Sequence, residues 1–143
     1  MKKILNLGLI ATAVLSFSTM ASDEEITLTA GELVPIVAVE DGIKNISQSI
    51  DIKAIDDRGG FVKNDFAITV SANVGISALD DNTRFGVVAG ANRGRAVFTG
   101  TSEGGSVAQC GPLVDKNEDN GGASLVDADG TLDLDSDNGC GIE

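Results

Sequence analysis

The chain has 143 residues, 10 of them basic and 22 acidic, for a net charge of −12 with no His, and it contains neither Trp nor Tyr. So acidic a chain repels phosphate backbones, which argues against a nucleic-acid partner. Without amphipathic rings it offers no platform for stacking sugars or bases, and without His it lacks the commonest general base, so no catalysis is expected.

Residues 1–21 have the three parts of an export leader: Lys2 and Lys3, an apolar run from Leu7 to Phe17, and small residues up to Ala21. The apolar run falls short of the roughly 20 residues that span a bilayer, so no membrane span is expected after processing. The chain is therefore read as exported. No Cys follows Ala21 to carry a lipid anchor.

From there on helical periodicity is weak and period-two alternation recurs, which predicts an all-β protein. The first strand runs over Glu25–Ala30, with Ile26, Leu28 and Ala30 on one face and Glu25, Thr27 and Thr29 on the other. A second runs from Leu33 to Val39. Pro35 cannot donate a ladder hydrogen bond, so it places that strand at an edge, a bulge or a strand start. Asp41-Gly42 reads as a turn, and a third strand follows over Ile46–Ile55 with Ile46, Ile50, Ile52 and Ala54 on one side. Asp56 to Gly60 closes it with turn formers.

Phe66 to Val74 is the clearest alternating run and is read as one strand. Shorter strands are expected at Ile76–Leu79, Arg84–Ala89, Arg95–Thr99 and Ser106–Ala108, with Gly90 to Gly94 as a hairpin loop. Short strands at this spacing suggest a sandwich or Greek-key barrel.

Residues 115–143 differ in kind, with Lys116 the one base in an Asp-rich and Gly-rich run. They read as an acidic tail with few apolar anchors, in need of outside help to stay ordered. Cys110 and Cys140 are the only cysteines, and an exported chain meets an oxidising compartment, so an intramolecular disulfide is expected. It closes a loop of about 30 residues and, on the chain-entropy account, contributes roughly 3–4 kcal/mol. Inside that loop Asp133, Asp135 and Asp137 follow the alternating spacing of calcium loops, without the acid such loops carry at their twelfth position. Calcium is thus a possible cofactor; the other reading is a short strand through Leu132 and Leu134 with the Asp side chains in water.

Ile26-Thr27-Leu28-Thr29-Ala30, then Pro35, then Asp41-Gly42, resembles the mature N-terminus of the colonisation-factor fimbrial major subunits, the pilins of the alternate chaperone-usher class. The resemblance covers about half of the chain beyond the leader. It implies an incomplete immunoglobulin-like β-sandwich (36–114) preceded by a donor-strand segment (22–35); the disulfide-tethered acidic tail (115–143), read from its composition and cysteines, departs from that family's pattern. In that scheme Ile26, Leu28 and Ala30 insert as alternate knobs into a neighbouring subunit by strand addition. The implied partners are other copies of the chain or related pilins, a periplasmic chaperone and an outer-membrane usher, and the implied role is a structural subunit of a surface fimbria that supports adhesion. The alternative expectation is a monomeric secreted or periplasmic β-domain that binds calcium through its acidic loop.

Overall fold

A computed structural model describes residues 24–38 and 44–142. The leader, Val39 and the Asp41-Gly42 turn lie outside the described residues. Among the described residues eight strands occur in order: β1 (Glu24–Thr27), β2 (Leu33–Val37), β3 (Gln48–Lys53), β4 (Phe66–Val70), β5 (Val74–Asp80), β6 (Phe85–Ala91), β7 (Val97–Thr101) and β8 (Ala108–Cys110). They form a three-stranded sheet, β1-β3-β4, and a five-stranded sheet, β2-β5-β6-β7-β8. The expected all-β, two-layer architecture is what the residues build.

The run Phe66–Val74 is not one strand. The chain turns at Ala72-Asn73, where Asn73 takes φ of +63°, and crosses from β4 in one sheet to β5 in the other. Asn adopts the left-handed region more readily than other non-glycine residues, which makes it a suitable corner. Two backbone bonds pin that corner: the Asn73 N–H to the Lys44 carbonyl and the Asn92 N–H to the Asn73 carbonyl, each 2.9 Å. Because Ala72 and Val74 continue the alternation in phase, the pattern runs unbroken through a bend it cannot reveal.

Other boundaries also move. Only Gln48–Lys53 of the expected Ile46–Ile55 strand pairs, and Ile46 is 63 % exposed rather than inward. β7 and β8 each start two residues later than expected, and β6 continues to Ala91, where the Gly94 N–H closes a tight turn onto the Ala91 carbonyl. Pro35 does lie in an edge strand, and the register of β2 against β5 shifts between Pro35 and Val37.

Two apolar clusters result. Between the sheets lie Leu28, Ile36, Val37, Ile50, Ile52, Val70 and Ala78, with Phe85 and Val87 of β6 packed against them. Ile50 and Ile52 are fully buried, each contributing roughly 1.5–3 kcal/mol. On the opposite face of the five-stranded sheet Val88, Val97 and Cys110 meet Val126 and Leu132 of the C-terminal segment. This corrects the expectation of a tail lacking its own support: Val126, Leu132 and Leu134 are buried, and the segment roofs the sheet.

Glycine makes that roof possible. A Cβ on Gly90 would strike the backbone of Gly122, and one on Gly122 would strike Ala96, so sheet and roof touch backbone to backbone there. Farther along β6, Leu132 and Leu134 sit over Gly86.

Candidate functional site: an open strand edge and an uncovered apolar slot

The N-terminal strand is docked on its own domain. β1 pairs in parallel with β3, Glu24 opposite Ile50 through Thr27 opposite Lys53, and the Leu28 N–H continues onto the Lys53 carbonyl at 3.0 Å. Ile26 is half-buried and Leu28 only 2 % exposed, both in the inter-sheet cluster. Ala30 does not share that buried face as expected; it is exposed and makes an isolated bridge to Asp80. The chain leaves β3 after Leu28 and turns at Gly31, φ +72°, whose N–H reaches the Asp80 carbonyl at 2.7 Å.

The predicted calcium carboxylates do not converge. Asp133 accepts the Asp135 N–H at 3.0 Å and the Ser136 hydroxyl at 2.9 Å, bonds that hold its carboxyl below the usual range. Asp135 accepts from Arg84 at 2.8 Å, and Asp137 is exposed at the start of a 3-10 turn. Among the described residues no three metal-ligating side chains gather. Leu132 and Leu134 form no strand beyond a single bridge between Leu132 and Cys140. The expected disulfide is present, Cys110 to Cys140 with Cα atoms 5.2 Å apart.

Two neighbouring carboxylates, Asp80 and Asp81, organise this end of the sandwich. Asp80 is 1 % exposed and accepts backbone N–H groups from Phe61 (2.6 Å), Val62 (2.9 Å) and Asn82 (3.0 Å). Its position was marked, since Asp80 follows Val74, Ile76 and Ala78 in the inward phase of β5. Asp81 accepts from Thr83 and from the Arg84 backbone and guanidinium; desolvation opposes its ionisation, but these bonds prevail and lower its pKa to about 2. Arg84 in turn reaches the Leu134 carbonyl (2.7 Å) and Asp135, clasping the C-terminal roof.

The unpartnered feature lies on the other side. The inter-sheet cluster draws on β2, β5 and β6 of the larger sheet and on nothing from β7 or β8, so the three-stranded sheet stops short. Beyond β4 the inner face of the larger sheet is bare. A hollow of about 390 Å³ lies there, lined by Phe85, Val87, Ala89, Phe98, Gly100 and Val107, and a second of about 290 Å³ adjoins it on the Val74 and Ala91 side of Phe98. Phe98 is 45 % and Val107 75 % exposed.

No β4 residue lines either hollow; β4 is the edge strand of the smaller sheet opposite β1, and that edge is unguarded. Sheet edges are ordinarily protected by charge, Pro, a bulge or shortness. β1 carries Glu24 and Glu25, β2 carries Pro35 and its register shift, and β8 has three residues. β4 is Phe-Ala-Ile-Thr-Val, five residues with none of these devices. The overhang is two strands wide, about 10 Å at ordinary strand spacing. A second folded sandwich presenting the same edge would drive its own overhang into this one, whereas a lone extended segment fits.

The chain is thus an all-β two-layer sandwich with one sheet short of its partner. Against family models, curated proteins and solved structures, it finds no match.

Proposed function

We propose that this protein is a structural subunit of a bacterial surface fimbria, assembling by donor-strand exchange and supporting adhesion. Two features carry the reading, the unguarded edge of β4 in the smaller sheet and the exposed apolar inner face around Phe98 in the larger: free backbone and an apolar floor for an added strand. A strand added there gains main-chain hydrogen bonds from β4 and buries alternate side chains on Phe98, Ala89 and Val107. The alternation of Ile26, Leu28 and Ala30 supplies a matching donor in every copy. A periplasmic chaperone and an outer-membrane usher are the partners such a route needs, and no reaction is catalysed.

The test is microscopy of cells exporting the chain together with its chaperone and usher neighbours. Filaments that contain the chain are expected, and Phe98→Asp is expected to abolish them while leaving the melting temperature of the monomer within the small shift typical of surface changes, since Phe98 is partly exposed and outside both buried clusters. A chain that stays monomeric beside those neighbours, or filaments indifferent to Phe98→Asp, would overturn the reading.

A further inference from the structure

We infer that β1 is a self-cap: docked on its own β3 it withholds the donor segment, and its release is the step that controls insertion into the β4 slot of a second copy. The inference rests on the strand-exchange reading above and adds the device that regulates it.

The observations are local. β1 touches the rest of the three-stranded sheet along β3 only, through four register pairs, and forms its outermost strand. Two exposed ion pairs fasten it, Glu25 to Lys53 at 3.4 Å and Glu24 to Lys44 at 4.0 Å, and Leu28 is its one fully buried anchor. Thr29 to Glu32 forms the turn behind it, with exposed Gly31 at positive φ and open space around its α-carbon. Swinging this segment out on its glycine turn withdraws Ile26 and Leu28 from the inter-sheet cluster and leaves the remainder of that cluster and the whole roof cluster packed.

Its chemistry is the chemistry the slot lacks. Ile26, Leu28 and Ala30 recur at the spacing of one strand face, and the segment from Glu24 to Ala30 is long enough to run the length of β4. The slot admits a lone strand and excludes a whole second sandwich, so a segment on a hinge is the kind of occupant its width selects. Home docking and insertion both bury Ile26 and Leu28, so the two sites compete for one strand. Apparent affinity between copies is then the intrinsic affinity scaled by the fraction of undocked β1.

The experiment uses the exported full chain. Glu24→Lys with Glu25→Lys sets like charges against Lys44 and Lys53 and loosens home docking without touching an apolar contact. Assembly is expected to quicken by about 3- to 10-fold, on the strength of two exposed ion pairs. In parallel, benzoylphenylalanine replaces Phe98, and assemblies grown from mixed heavy-isotope and light-isotope copies are irradiated. Cross-links from position 98 to residues 24–30 of a different copy are the expected result. Assembly unchanged in rate by the double reversal overturns the self-cap. Assemblies in which β1 cross-links to β3 of the next copy, and position 98 to nothing, overturn the assignment of the slot while leaving exchange itself standing. Absence of assembly for both proteins overturns the strand-exchange reading.

Discussion

At the scale of single residues, the two neighbouring carboxylates at the end of β5 do different work. Asp80 is a buried acceptor for three backbone N–H groups, so Asp80→Ala leaves those donors without a partner and is expected to destabilise by about 2–4 kcal/mol in urea unfolding. Gly60→Ala tests the same knot from the other side, because a Cβ there would lie 2.5 Å from the Asp80 carboxylate. Asp81 makes a prediction in pH. Its proton is held less tightly folded, at about 2, than in an unfolded chain near 3.8, so the stability it confers is complete above about pH 4 and is lost as pH falls towards 2. Allowing for solvent screening the amount is of order 1 kcal/mol. Arg84→Met should flatten that part of the acid-unfolding curve; an unchanged slope would show that the clasp is not what titrates.

At the scale of elements, the alternating strands were legible and their sheet membership was not. The strands expected at Ile76–Leu79 and Arg84–Ala89 are found as Val74–Asp80 and Phe85–Ala91, but a pattern that stays in phase through Asn73 hides the change of sheet. The slot was illegible for a related reason: it is made by how many strands each layer has, which no local pattern encodes. The C-terminal roof was misjudged because glycine was read as turn chemistry. Gly86, Val88 and Gly90 share one face of β6, and small residues alternating with Val there were the available signal that something had to approach that face closely. Gly90→Ala is accordingly expected to cost about 1–3 kcal/mol and to speed amide exchange over residues 121–126. Cleaving the Cys110–Cys140 disulfide is expected to remove roughly 3–4 kcal/mol and to open the same segment to protease, read by mass spectrometry of the first cuts.

At the scale of the whole molecule, the sandwich is asymmetric: one face of the large sheet is closed by its own C-terminus and the other is left half-open beside β4. The net charge of −12 sets copies of the chain to repel one another, and β4 carries none of that charge. The roof also sets a schedule. Val88 and Val97 are covered by residues between Val126 and Cys140, so a chain emerging N-terminus first cannot close its second cluster until Cys140 has emerged. Until then β6 and β7 lack the cover of that face, and the last closure of the molecule falls to its least regular segment.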